Sequence, residues 1–194
     1  MNFDTGRFIL KIAETSEELH AAQRLRYKVF VEEMGANVAD DCHASRMEYD
    51  KFDQDFDHLI LIDSLNRNTA ENVVGVYRLM LNTSVNKNRG FYSSSEYNLD
   101  KLIKADRKIL ELGRSCIDKQ HRGGVALHMM WNGLAQYVID NNVEVLFGVA
   151  SFHGVDINLI NHALSYLHYN HLAPVELRPI AIGENKIDMN ILNK

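Results

Sequence analysis

Cysteine and proline are scarce, with two of each in 194 residues. Cys42 and Cys116 are too few for a disulfide framework, and without a secretory signal both are expected to stay reduced. So few prolines, beside 46% hydrophobic residues, argue against an extended or disordered chain and for a buried core. Positive charge is short as well: the net charge is −5, whereas a general nucleic-acid binder carries a basic surplus. No apolar run approaches the roughly 18 residues of a membrane span. The start, Met1-Asn2-Phe3-Asp4, has an early acid and no basic region leading into an apolar stretch, so no signal peptide is expected. These absences point to the cytoplasm, with any membrane contact peripheral, at the inner face.

What is present alternates between two periods. Phe8–Ile12 reads as a strand, and Thr15 with Glu18 forms a capping box that opens a helix over 16–33. Leu19, Ala22, Leu25, Val29 and Phe30 share one face of that helix, and Arg26 intrudes on it. Residues 36–57 are acidic and loop-like. Strands follow at 58–63 and 73–81, then a short helix near 99–105 and a strand over 108–117. A helix over 124–141 presents Leu127, Met130, Trp131, Leu134 and Val138 on one face, and Met129, Met130 and Trp131 read mainly as core. The apolar run 143–150 reads as a strand buried on both faces, followed by a helix over 155–168 and a last strand over 175–182. The order predicts a mixed sheet flanked by helices, an α/β (α+β) fold, as one domain over 1–182 with a polar tail from Gly183 to Lys194.

The stretch from Glu111 to Gly124 carries the most chemistry. A strand, then basic residues, then Gly123-Gly124 at a helix start presents free backbone N–H groups to an anion, and Arg122 adds charge. It is neither a P-loop nor a dinucleotide fingerprint. Glu111, between apolar neighbours, is placed either to bind or deprotonate an amine or to pair with Arg114 or Arg78. Asp50 and Asp53 suit a second positive charge on that amine. Arg26 and Arg78 either pair with these acids or grip a substrate carboxylate. Backbone N–H groups near Gly113–Ser115 are candidates for an oxyanion site. Cys116 reads as a small buried apolar residue rather than a nucleophile. A calcium loop at Asp53-x-Asp55-x-Asp57 fails, because His58 stands where glycine is required. His153, His162, His168 and His171 match no zinc spacing, so no metal is expected.

Arg122-Gly123-Gly124 after a strand resembles the acyl-thioester cradle of GNAT acyltransferases, although the pattern from Gln120 ends in Val125 instead of glycine or alanine. Leu25-Arg-Tyr-Lys-Val-Phe30, Tyr49-Asp-Lys-Phe-Asp53, Val74-Gly-Val-Tyr-Arg-Leu-Met80, Gly90-Phe-Tyr-Ser93, Leu110-Glu-Leu-Gly-Arg-Ser-Cys116, Ser151-Phe152 and His171-Leu-Ala-Pro174 resemble the ornithine lipid N-acyltransferase family. The resemblance implies a GNAT-like fold. It also implies transfer of a 3-hydroxyacyl chain from acyl carrier protein to the α-amine of ornithine, giving lyso-ornithine lipid. Acyl carrier protein, or acyl-CoA, would be the co-substrate, with no bound cofactor. It casts Glu111 and Arg114 as catalytic and Arg26, Phe30, Asp50, Asp53 and Arg78 as substrate-binding. Gly113, Ser115, Arg122, Gly123 and Gly124 would hold the acyl thioester and its pantetheine arm. Members usually run on past the length of this chain. An acidic carrier protein would suit a patch of Arg107, Lys108, Lys119, His121 and Arg122.

Arg26, Phe30, Asp50, Asp53, Arg78, Glu111 and Arg114 also fall on the sparser pattern of acyl-homoserine lactone synthases. Those usually carry a tryptophan shortly after the first helix, where this chain has Glu33-Met-Gly-Ala36. A small-molecule N-acetyltransferase and a non-catalytic carrier-binding module stay open as alternatives.

Overall fold

A computed structural model describes residues 2–152, 154–184 and 186–192. Six strands form the main sheet: β1 (Asn2–Asp4), β2 (Phe8–Ile12), β3 (Asp57–Asp63), β4 (Val73–Leu81), β6 (Ile109–Ile117) and β7 (Val145–Gly148), in the order β1-β2-β3-β4-β6-β7. All neighbours are antiparallel except β6 and β7, which run parallel. A separate two-stranded ribbon pairs β5 (Tyr97–Asn98) with β8 (Ile180–Ala181).

The sheet is covered on both faces, and strand alternation decides which side chain goes where. Leu59 and Leu61 of β3 point to helix α4 (Gly124–Asp140), which brings Ala126, Met129, Met130, Leu134 and Tyr137 into the same cluster. Ile60, from between them, points the other way and packs with Ala21, Ala22 and Leu25 of helix α1 (Ser16–Arg26). A third cluster gathers Phe52, Phe56, Met80, Phe91, Leu99, Leu102 and Ile109. Leu102 comes from the short helix α3 (Asp100–Lys104).

The predicted capping box is present: the Thr15 hydroxyl accepts from the Glu18 N–H, and Glu18 accepts from the Thr15 N–H. The helix it opens is not uniform, however. It changes at Tyr27 into a π-helical segment, Tyr27–Glu33, closed by a Met34 N–H to Val29 carbonyl bond. Such wide turns are rare and often sit at functional sites. Phe30 in this segment and Met34 after it line the main cleft.

Several expected elements differ. The acidic loop holds a short helix, α2 (Asp40–Ser45). Strand β7 is an edge strand of four residues with half-exposed and exposed positions in alternation, so it is not buried on both faces. The apolar run 143–150 predicts a strand covered on both faces, but among the described residues only β6 pairs with it. The final strand shrinks to Ile180–Ala181 and joins the ribbon, because Pro174 and Pro179 interrupt the segment. Met129 and Met130 are buried as expected, whereas Trp131 is 56% exposed. Helix α5 (Ile157–Asn170) buries only Ser165 fully.

One irregularity positions the site. The β6–β7 ladder ends at Leu112↔Gly148, while β6 continues to Ile117. At that last pair a Cβ on Gly148 would lie 2.4 Å from the Leu112 carbonyl oxygen, so only glycine lets the strands meet there before they part. On its other side β6 bulges against β4: Val76 pairs with Cys116 and Arg78 with Gly113, which leaves an extra residue in β6. Arg114, in the bulge, adopts φ 51°. A left-handed conformation costs an arginine about 1–2 kcal/mol, and it turns this part of β6 toward the gap.

Candidate active site

The gap beside β6 opens into a cleft of about 1200 Å³. Gly113, Arg114 and Ser115 form one wall, and Val149, Ala150, Ser151 and Phe152, just past β7, form the other. Beyond Leu112 the backbone of β6 has β4 on one side and, among the described residues, no strand on the other, so this edge is free to pair with an extended ligand.

The floor is a closed ring of six alternating charges. Arg26 Nη1 donates to Asp53 Oδ1 at 2.8 Å, and Arg26 Nε to Glu48 Oε2 at 2.6 Å. Arg114 Nε reaches Glu48 Oε1 at 3.0 Å, and its Nη2 reaches Asp50 Oδ2 at 3.4 Å. Arg78 Nη1 closes the ring, donating to Asp50 Oδ1 at 2.9 Å and Asp53 Oδ1 at 2.8 Å. Three guanidiniums and three carboxylates cancel, which is the condition for burying such groups at all.

Local structure aims each member. Asp50 accepts from the Phe52 N–H at 2.8 Å, an Asx turn that fixes its carboxylate, and the Glu48 N–H donates to the Gln23 carbonyl of α1. Gln23 Nε2 donates to the second oxygen of Asp53 at 2.9 Å. The rings of Phe56 and Tyr92 stack on Arg78 at 4.4 and 5.6 Å, and Tyr92 lies 5.1 Å from Arg114.

The ring has an inside and an outside. The Arg26 side chain is 0% exposed and, like Asp53, does not line the cleft. Neither reaches a ligand in the cleft; both stand behind it as structural partners, which corrects their expected substrate contact. Burial opposes ionisation of Asp53, but Arg26 and Arg78 outweigh it and pull its pKa down to about 2. Arg114 is the ring arginine open to the cleft, its side chain 25% exposed. Burial works against its charge as well, and Glu48 reverses the balance, so its pKa stands above the ordinary arginine value. Asp50, Arg78 and Phe30 line the cleft.

Glu111 is buried, and its carboxylate is held by backbone. Oε2 accepts from the Tyr92 N–H at 2.8 Å, and Oε1 accepts from the Ser93 N–H at 2.7 Å and the Ser93 hydroxyl at 2.5 Å. The anticipated pair with Arg114 or Arg78 does not form among the described residues. Instead Glu111 caps the 3₁₀ turn Tyr92–Ser95 and ties it to the sheet. These three donors stabilise the carboxylate as the anion and leave one acceptor site, on Oε2, without a donor among the described residues.

Arg122, Gly123 and Gly124 lie outside the cleft wall, where α4 begins. Gly123, at φ 83°, is the N-cap without a side-chain hydrogen bond, and Gly124 follows at φ 55° with open space around both. A helix start so uncovered suits an anion. Arg122 is held in a fork on Glu33, at 2.5 and 2.6 Å. The proposed basic patch does not assemble: Arg107 and Lys108 precede β6 and Lys119, His121 and Arg122 follow it, about 25 Å apart at strand rise. His121 lies between Asp118 and Asp63, at 3.3 and 3.2 Å.

Cys116 is buried in the α1 cluster away from the cleft, and burial pushes its thiol up to about 12. A thiol that cannot ionise near neutral pH is no nucleophile. Cys116→Ala is expected to keep kcat within about threefold of wild type in a steady-state acyl-transfer assay. A loss of several hundredfold with an intact fold would reinstate a covalent route. Among the described residues no group of three or more His, Cys, Asp or Glu is placed to hold a metal ion, and His153 lies outside them.

Sequence reasoning missed Glu48, Tyr92 and Glu96. The first went unseen because Glu111 stood as the expected partner of Arg114 or Arg78, a place that Glu48 takes on Arg114. The other two line the cleft through the 3₁₀ turn, which nothing in Ser93-Ser-Ser95 announces.

Residues 25–132 match the family described as an acetyltransferase (GNAT) domain. Among solved structures, the acyl-homoserine lactone synthase LasI superposes with a TM-score of 0.52 at 18% identity, over 82% of this chain and 79% of its own. BjaI, a CoA-dependent acyl-homoserine lactone synthase, superposes at 0.51 and 18% identity, over 85% and 74%. These likenesses establish the fold alone. L-ornithine N(alpha)-acyltransferase of Rhodobacter capsulatus is 44% identical over 93% of this chain and 70% of its own length. The enzyme of that name from Agrobacterium fabrum is 33% identical over 96% of this chain, which spans 65% of that relative. With 44% identity over 93% of this chain, the chain belongs to the L-ornithine N(alpha)-acyltransferase family, on a GNAT fold.

Proposed function

We propose that the cleft transfers a 3-hydroxyacyl chain from acyl carrier protein to the α-amine of ornithine, forming lyso-ornithine lipid. The observation that carries this reading is the gap where β7 parts from β6, floored by a charge-neutral ring with one arginine turned outward. A pantetheine arm is extended and rich in amides, which suits the unpaired edge of β6 at Gly113–Ser115. Its phosphate suits the helix start at Gly123-Gly124, with Arg122 beside it.

The α-carboxylate of the amino acid goes to the cleft-facing side of Arg114, whose Nε and Nη2 stay on Glu48 and Asp50, with Arg78 beneath. Phe30 and Tyr92 wall the acceptor side. The ammonium first gives a proton to water. The neutral nitrogen then attacks the thioester carbonyl, and the developing oxyanion draws on N–H groups of the β6 bulge. The C–S bond breaks as the amide forms, and the proton shed by the nitrogen ends on the departing thiolate. Glu111 serves as a positioning residue, because its carboxylate holds the turn that carries Tyr92.

Residues 1–182 act as one acyltransferase domain in this reading. Among the described residues no helix is long and apolar enough to cross a membrane. The carrier and the amphiphilic product place the reaction in the cytoplasm, with peripheral contact at the inner membrane face. The acidic carrier meets the end of the sheet bearing Lys119 and Arg122 rather than the Arg107 end.

The test compares donors at fixed ornithine. 3-Hydroxyacyl carrier protein is expected to exceed the matching acyl-CoA and acetyl-CoA in kcat/KM by at least tenfold. Equal rates from acetyl-CoA would overturn the carrier-dependent reading. A lactone released in the presence of S-adenosylmethionine would move the chain to the synthases.

A further inference from the structure

Five carboxylates line the cleft: Asp41, Glu48, Asp50, Glu96 and Glu111. Four are already engaged. Glu48 and Asp50 belong to the charge ring, and Glu111 is held by Tyr92 and Ser93. Asp41 accepts from the Cys42 N–H at 2.9 Å. The Glu96 side chain has no hydrogen-bond or ion-pair partner among the described residues, and it is exposed to the cleft.

Its backbone, by contrast, is fixed from two sides. The Glu96 N–H donates to the Ser93 carbonyl at 3.1 Å, closing the 3₁₀ turn that Glu111 ties down. The Glu96 carbonyl accepts from Ile182 at 2.9 Å, where the β5–β8 ribbon begins. An unpartnered carboxylate on an immobilised backbone, facing a cleft whose arginines Arg78 and Arg114 are already matched by ring carboxylates, is arranged to meet a cation from outside the protein.

We infer that Glu96 is the specificity-determining residue that takes the side-chain ammonium of the amino-acid acceptor. This rests on the ornithine reading above. Tyr92, which packs on Arg114, and Glu96 are four residues apart on one turn, about 8 Å at 3₁₀ rise. A diamino acid with its α-carboxylate on Arg114 extends its far nitrogen along that wall. The pairing has a chemical consequence besides affinity. An ammonium bound to a carboxylate stays protonated and cannot attack, which leaves the α-amine as the nucleophile. The expected role of Asp50 and Asp53 in binding the second charge passes to Glu96, since both aspartates are spent on arginines.

The test measures kcat/KM for ornithine and for norvaline, which has the same carbon chain without the far nitrogen. Wild type is expected to prefer ornithine by at least tenfold. Glu96→Gln, an exposed and nearly isosteric change, is expected to bring the ratio to within about threefold of unity, mostly through KM for ornithine. Glu96→Asp is expected to restore part of the preference, which a merely structural role would not do. Acylation of ornithine with the full preference kept in Glu96→Gln overturns the assignment of Glu96 while leaving the acyltransferase reading intact. A wild-type protein that acylates neither amino acid overturns both.

Discussion

Asp53→Asn is expected to lower the unfolding free energy by about 3–5 kcal/mol, the usual cost of removing one partner from a buried ion pair. In a chain of this size that is a fall of roughly 10 °C in Tm. The size follows from what Asp53 holds. One oxygen serves Arg26 and Arg78 together, and the other serves Gln23. An asparagine leaves three cations facing two anions in a dry pocket, and its amide group opposes a donor. Asp50→Asn provides the contrast. It is 22% exposed and meets Arg114 at 3.4 Å, so water covers part of the loss and about 1–2 kcal/mol is expected. Thermal and urea unfolding of both variants checks the order, and an Asp53→Asn shift under 2 °C would show that the ring contributes little.

Acid provides a second readout of the same residue. The folded pKa of Asp53, about 2, lies below its ordinary value of 3.8. Its contribution, about 2 kcal/mol, is therefore complete above pH 3.8 and disappears as pH falls through about 2. Asp53→Asn is expected to remove that segment of acid dependence, leaving a flatter stability curve between those values.

Glu111→Ala is expected to reduce kcat/KM by at least 100-fold, since misplacement by about 1 Å at a reacting site costs that much. The side chain does not contact the acceptor in this account. It holds the Tyr92 and Ser93 N–H groups, and through them the wall that carries Tyr92 and Glu96. Losing it strands the Tyr92 and Ser93 N–H groups and the Ser93 hydroxyl and frees the turn. Glu111→Gln separates positioning from proton abstraction. Its carbonyl oxygen still accepts from Ser93, although its amide nitrogen faces the Tyr92 N–H. An intermediate loss, about tenfold and with an unchanged pH profile, is expected. A loss as deep as that of the alanine variant, with the acidic limb of the profile removed, would make Glu111 a general base.

The parts of the molecule legible in sequence were those governed by local rules. The capping box at Thr15 and Glu18, the strands Phe8–Ile12 and Val73–Leu81, and the start of α4 at Gly124 stand where pattern and cap placed them. The rest depended on partners that periodicity does not show. The 145–148 run is as apolar as a central strand, yet only one neighbour pairs with it. A helical pattern continues through 27–33 while the backbone widens into a π segment. At the site, the charged residues were recognised but their pairing was not. Arg26 and Asp53 stand behind the cleft and Arg114 faces it, a distinction set by the bulge in β6 rather than by residue type. Glu96 stayed hidden because its role comes from what its neighbours already hold.

The most direct test is fragmentation mass spectrometry of the product formed from 3-hydroxyacyl carrier protein and a panel of amino acids. Ornithine acylated on its α-nitrogen, as the dominant product and absent without enzyme, is the predicted result. Acylation at the far nitrogen, or no amide from any amino acid despite measurable carrier binding, would contradict the account.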